Sequence, residues 1–573
     1  MVKNHKILTG AFVGMDLALL IAIISTGQAY LMPIIAKLSM MQQIKLFTMF
    51  SGGAMVGGET LAYYLKLRTQ KAKEKLANAH LIDKDDILEI LGDDGIKLSK
   101  DLQLKEKYDF EGTTIFAPTG AGKTTSYFMP NLLSNDIRGS LIVLDPKGEI
   151  FKKTSKYQEM VCKRRVLKFS PLEPTESEKY NLLTSCKSNE EVKELATTLL
   201  FNGALSIELS CGRKVGGGEW IQMSEALLCS ALLYAKDLDF PFNNIEFAFK
   251  LLITLDTDQL DILFSSCDNI DVKTQWNIFK SVGKADKTEG SIKITMASNI
   301  KLFTDSRINA VGNESTFNID DFRNQETILY ITYPENKSAY LAPYTAPFFS
   351  QIIDRLINIY QEGVSLPVTI FFEEFGNIGM LNNMSINAAT CRSREISLNV
   401  CLQSITQLYQ VYGRDNAKAI LNNLKTKIVL AGLSDIDTLN YISGLCGEKE
   451  ITICNTTVNK NNTSQNYSKT KVKLFENSEL RCLKDDEMLI ITSNKQPIIS
   501  KQNRYFENKE YTKNIFDNTA SIPKNDNIYN QKDIEKKILD LKLQSIKEKE
   551  GVNDVKKEIS RMFGRWIYKN QSW

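Results

Sequence analysis

The sequence predicts an α/β chain: a parallel sheet covered by helices, a phosphate-binding loop at one edge of that sheet, an all-α insertion, and a two-helix membrane anchor in front. Three observations predict it. Residues 115–126 read as strand end, small-residue loop and helix start. Apolar runs of strand length recur at 141–144, 165–169, 327–331, 367–372, 398–402 and 427–431. Two long stretches nearly free of charge precede all of them.

The chain opens on those two stretches. Between Ile7 and Ala36 the one charge is Asp16, and between Leu46 and Leu65 it is Glu59. Each run is long enough to cross a hydrocarbon core of ~30 Å at 1.5 Å per helical residue. Lys3 and Lys6 precede the first span, and Lys66, Arg68, Lys71, Lys73 and Lys75 follow the second, with chiefly Lys37 between. The positive-inside rule then puts both ends, and everything after residue 66, in the cytoplasm. The anchor is expected over 1–66, with a short extracytoplasmic loop. The pairs Gly10/Gly14 and Gly53/Gly57 suit close helix approach or ordinary membrane packing equally well. Asp16 and Glu59 must face protein or water. A charged connector follows over 67–107.

The loop comes next. Ala117-Pro118-Thr119-Gly120-Ala121-Gly122-Lys123-Thr124-Thr125 follows the G-x-x-x-x-G-K-[ST] pattern with alanine in place of the first glycine. Backbone N–H groups of Thr119, Gly120, Ala121, Gly122 and Thr125 would cradle an anion at a helix N-terminus. Lys123 would reach the β- and γ-phosphates, and the Thr124 hydroxyl would sit on Mg²⁺. The expected ligand is ATP or GTP with magnesium.

Two further strands end in chemistry. Val368-Thr369-Ile370-Phe371-Phe372 runs into Glu373 and Glu374, the form of a Walker B strand. Glu373 would hold the metal shell and Glu374 would polarise the attacking water. Asp145, closing the strand 141–144, competes for this role. The strand 398–402 ends in Gln403, placed to sense a γ-phosphate, with Gln407 following. Arg392 and Arg394 are candidates for insertion into a neighbouring subunit's site, against the plainer reading of surface ion pairs.

From 188 to 299 the periodicity turns helical, with Trp220, Met223, Ala226, Leu227 and Leu233 on one stripe read as core. Gly216-Gly217-Gly218 reads as an entry loop. Residues 455–471 read as a mobile loop or a hairpin tip, and 517–573 as a mildly basic amphipathic tail able to dock a partner, touch anionic lipid or pack on the body. The chain of 573 residues carries a net charge of +3, so overall charge argues for no nucleic acid. Its two histidines, His5 and His80, nearly exclude Ser-His-Asp and H-E-x-x-H chemistry, and ten irregularly spaced cysteines speak against a disulfide frame.

Taken together these motifs resemble the type IV secretion system coupling proteins of the TraG/TraD type. The resemblance is carried by Ala-Pro-Thr-Gly-Ala-Gly-Lys-Thr at 117–124, Asp145-Pro146-Lys147-Gly148-Glu149, Tyr180-Asn181-Leu182-Leu183, Phe372 through Gly379, Gln403 through Leu408 with Tyr412-Gly413, and Arg481 through Glu487. It implies a RecA-like P-loop NTPase domain over 108–187 and 300–516, an all-α domain over 188–299, and a homo-hexamer at the cytoplasmic face of the bacterial cell membrane. It also implies ATP hydrolysis that delivers relaxase-bound single-stranded DNA to the secretion channel proteins. Two other readings share these motifs: a nucleotide-gated substrate receptor without motor activity, and an FtsK-type DNA translocase.

Overall fold

Residues 79–212, 218–282, 286–459, 462–524 and 531–549 are described by a computed structural model of the chain. The two apolar stretches before residue 66 lie outside them, and no described helix is long and apolar enough to cross a membrane.

One unit is built on a nine-stranded sheet. Its strands are β1 (Thr113–Phe116), β2 (Ser140–Asp145), β3 (Arg165–Phe169), β4 (Thr327–Thr332), β5 (Val368–Phe372), β6 (Ile396–Leu402), β7 (Thr426–Leu430), β10 (Glu487–Ile491) and β11 (Ile498–Lys501). The order across the sheet is β11-β10-β7-β1-β6-β5-β2-β4-β3. The run from β7 to β3 is parallel, while β10 and β11 are antiparallel additions at one side. Strands β1, β2, β4, β5, β6 and β7 are buried along their whole length, which is why the sequence reads there as continuous apolar runs and not as alternation.

Helices cover both faces. Helix α1 opens as a π-helical turn over Thr124–Phe128 and continues over Met129–Leu132, and α2 spans Glu149–Met160. With Tyr127, Phe128, Ile150 and Phe151 they pack on Ile115, Leu141, Val143, Tyr330 and Ile428. The stretch read as a connector contributes to the same core from residue 82 onward. Ile87, Ile90, Ile96, Leu98, Leu102 and Leu104 are buried in it, held by the bridges Leu91–Leu104 and Lys97–Gln103. Each such side chain stabilises by roughly 1.5–3 kcal/mol relative to exposure. Their many charged neighbours had masked them in the sequence.

Between β3 and β4 come α3 (Asn189–Cys211), α4 (Gly218–Lys236), α5 (Ile245–Thr254), α6 (Thr257–Ser266), α7 (Ile270–Val282) and α8 (Asp286–Asn299). Ala226, Leu227 and Leu233 are buried, whereas Trp220 and Met223, expected on the same core stripe, are only half-buried at the start of α4. The tryptophan at the centre of this layer is Trp276 of α7, fully buried against Phe264 and Phe279, with its indole N–H donating to Asp261 Oδ1 at 2.7 Å. A charge-rich helix had hidden it.

Further helices are α9 (Ser338–Asn358), α10 (Met384–Cys391), α11 (Ile405–Tyr412), α12 (Arg414–Asn423) and α13 (Ile436–Cys446). Among the described residues of the tail, a helix, α14, spans 531–549. Ile534 and Ile538 are buried, and Lys250–Glu535 and Lys549–Asp258 ion pairs tie it to α5 and α6. The second stretch read as amphipathic, 552–566, lies outside the described residues.

The other unit holds the hairpin β8 (Glu448–Asn459) and β9 (Asn462–Lys473), where the sequence allowed a loop or a hairpin tip. Ala79 N–H donates to Glu448 O at 3.0 Å within it.

Candidate functional site

The C-terminal ends of β1, β6, β5 and β2 lie side by side, so whatever follows each strand meets at one edge. β1 delivers the loop 117–123. Gly120 and Gly122 take φ of +85° and +91°, the left-handed region that glycine enters without strain. Ala117 is not among the positive-φ residues and continues the strand pairing, its N–H donating to Leu402 O at 3.0 Å. No glycine is needed there, which is why the departure from the strict pattern is tolerated.

The side chains predicted from separate motifs are in contact. Lys123 Nζ donates to Glu374 Oε2 at 2.7 Å and to Glu373 O at 3.0 Å. Thr124 Oγ1 donates to Glu373 Oε1. Gln403 Nε2 donates to Glu374 Oε2 at 3.2 Å, and Gln407 Nε2 to Glu374 Oε1 at 3.3 Å. Gln407 Oε1 in turn accepts from the Gln403 N–H at 3.0 Å, so the first turn of α11 fixes both amides. Thr125 caps inward on Gly122 O at 3.0 Å.

Both carboxylates are 3 % exposed. Burial pushes the Glu373 carboxyl above its ordinary range, against the Thr124 hydrogen bond and the Lys123 charge. Burial also opposes the charge on Lys123, but Cys401, Glu374 and Glu373 beside it outweigh that, and its ammonium is held above the usual lysine range.

Asp145 ends β2 next to this group, with Oδ1 buried and without a hydrogen-bond partner. Its Oδ2 accepts from the Phe151 N–H at 2.8 Å, holding the first turn of α2. Burial pushes its carboxyl up to about 7, while the Phe151 hydrogen bond works the other way. Thr124 contacts Glu373 and not Asp145.

Arg394 is not brought to this edge. It lies in the turn before β6, a strand's length of roughly 20 Å from Gln403 at the other end. Its guanidinium stands over the Tyr360 ring and its carbonyl accepts from Arg323. Arg392 pairs with Glu111 at 2.9 Å. One loop neighbour went unread in the sequence: Gln502, buried, whose Nε2 donates to Ala121 O at 3.5 Å from 381 residues away.

Oxygen donors on Thr124 and Glu373 suit a hard divalent cation. The loop has room for an anion, since a Cβ on Gly120 would meet nothing within 4 Å. Lys123, now neutralised by Glu374, is the cation such an anion would meet.

The profile of the family described as Type IV secretory system Conjugative DNA transfer matches residues 69–527. The chain belongs to that family. Protein VirD4 of Rhizobium radiobacter is 23% identical over 430 residues, covering 71% of this chain and 59% of the relative. Protein VirD4 of Agrobacterium fabrum is 22% identical, covering 77% and 66%. The conjugal transfer protein TraG of Escherichia coli is 22% identical, covering 60% and 55%. The chain thus spans 55% to 66% of the length of these relatives. Among solved structures, the plasmid coupling protein TrwB in complex with ADP and Mg²⁺ superposes with a TM-score of 0.58 at 14% identity, over 74% of this chain and 94% of that one. TrwB with a non-hydrolysable ATP analogue gives 0.58. The conjugative DNA transfer family and a TrwB-like α/β fold are thereby established for this chain.

Proposed function

We propose that this chain is a membrane-anchored ATPase that couples relaxase-bound single-stranded DNA to a type IV secretion channel. The observation that carries the reading is the convergence of Lys123, Thr124, Glu373, Glu374 and Gln403 from three strand ends onto one loop. The solved complexes of TrwB with ADP and Mg²⁺ and with an ATP analogue support nucleotide and magnesium as its ligands.

Residues 119–125 would hold the triphosphate through backbone N–H groups, and Lys123 would turn from Glu374 to the outer phosphates. Thr124 and Glu373 would hold Mg²⁺, which when bound spreads the charge of the outer phosphate oxygens. Losing its lysine partner leaves Glu374 free to orient a water and draw on its proton. Gln403, already on Glu374, would register the terminal phosphate. Arg394 could serve only a neighbouring subunit's nucleotide, within a homo-hexamer. The spans read over 7–36 and 46–65 would place that ring on the cytoplasmic face of the bacterial membrane. Full-length protein should then pellet with membranes while a 67–573 variant does not.

The deciding experiment is ATP turnover with and without single-stranded DNA. Glu374→Gln should lower turnover by about 10²–10⁴-fold, as loss of a general base does, with ATP binding kept. Lys123→Ala should lose binding itself. DNA-stimulated turnover supports a motor; tight binding with turnover indifferent to DNA supports the nucleotide-gated receptor instead.

A further inference from the structure

We propose that the turn Tyr505–Glu507, with Phe506 as its exposed ring, is the platform on which the nucleobase rests. This rests on the nucleotide-binding reading above and concerns the same site.

The direction of the phosphate chain follows from the sheet order. Its outer end is set by Lys123, Glu374 and Gln403, which follow β1, β5 and β6. A triphosphate laid over the N-terminus of α1 with that end toward β6 and β5 leaves on the other flank of β1, where β7, β10 and β11 stand. Because β10 and β11 are antiparallel, the chain leaving β11 returns to the phosphate-loop edge. Gln502 N–H donates to Asp486 O at 2.8 Å there, and a Cβ on Gly122 would lie 3.1 Å from Gln502 Oε1. The residues that follow are therefore delivered to the flank of the loop from which the nucleoside emerges.

The turn is held firmly. Lys153 Nζ donates to the Tyr505 hydroxyl at 2.7 Å, stands 5.1 Å from the ring centroid, and is itself held by Glu149 at 2.6 Å. Tyr505 packs on the core that contains Tyr127 and Phe128 of α1, and the turn abuts the start of that helix. Phe506 next to it meets Tyr505 edge to face at 5.6 Å and is 53% exposed. A phenyl ring on the turn that abuts the start of α1, with apolar surface left in water, matches the stacking need of a planar heterocycle. Stacking reads no hydrogen-bonding edge, so this contact favours any nucleoside triphosphate over bare polyphosphate and separates ATP from GTP poorly.

Calorimetric binding of ATP and of inorganic tripolyphosphate to the full-length chain, with Mg²⁺, tests this. Phe506→Ala should weaken ATP by about tenfold, the order of one lost base stack, and leave tripolyphosphate unchanged; Phe506→Trp should restore ATP. Equal losses for both ligands, or no loss of ATP, would overturn the proposal. Should the alanine variant fail to fold, 8-azido-ATP photolabelling of the unmodified protein is expected to mark residues 502–507, and labelling confined elsewhere would overturn it. If the unmodified protein binds neither ligand, the nucleotide reading falls, and this one with it; loss of both ligands in Lys123→Ala alone leaves each standing.

Discussion

At Glu374 three donors converge on one buried carboxylate: an ammonium and two amides. The lysine offsets the buried charge while no substrate does, and the two glutamines keep the carboxylate aimed once the lysine leaves. The pieces are legible in the sequence because each sits within a few residues of its motif. The contact of Gln502 with the loop is not, since nothing local marks a glutamine as the neighbour of a backbone 381 residues away. A second buried charge lies at the far end of the sheet. Burial pulls the Lys427 ammonium down to about 7, and its Nζ donates to Leu421 O at 2.8 Å and to Leu424 O at the end of α12. Between about 7 and the ordinary 10.5 the unfolded chain binds a proton at this lysine that the folded one lacks, so stability rises with pH across that window. From pH 7 to 8.5 the urea midpoint should climb more steeply with pH in the unmodified chain than in Lys427→Met.

Among the elements, the long apolar runs announced the parallel strands because a strand buried on both faces has no polar alternate positions. β10 and β11 escaped notice: they are short, at one side of the sheet, and β11 is apolar only at its start. The same limit hid the core residues between 82 and 104, which are scattered singly among charges. Of the readings open for the tail, packing on the body is seen along α14. Ile534 and Ile538 face inward, Lys537 stands 5.6 Å from the Phe242 ring, and Lys542 Nζ reaches Thr254 O at 3.4 Å. Ile538→Ala should therefore cost about 2–5 kcal/mol of local packing, as large-to-small changes do. Limited proteolysis is expected to cut within 531–549 in that variant first; an unchanged cleavage pattern would mean the helix is held by its ion pairs alone.

Over the whole molecule, one sheet joins strands from nearly four hundred positions of sequence, with a helical layer inserted between β3 and β4 and both halves meeting at the edge that carries the loop 117–123. The order of strands could not be read from the runs themselves, because buried parallel strands are alike in their apolar side chains and pair through backbone groups common to all of them. A chain ending at residue 473 keeps every predicted site residue yet lacks β10, β11 and Gln502. It should bind ATP far more weakly than the full chain, and should aggregate through the bared edge of β7. Sedimentation and nucleotide binding of that truncation decide the point.

The late return of the chain to the loop also has a meaning for synthesis. The loop emerges from the ribosome hundreds of residues before the strands and the turn that flank it. A nascent or prematurely terminated protein therefore carries the whole phosphate-binding motif without its support. If nucleotide affinity depends on that support, a defective copy stays idle where an intact one would engage nucleotide.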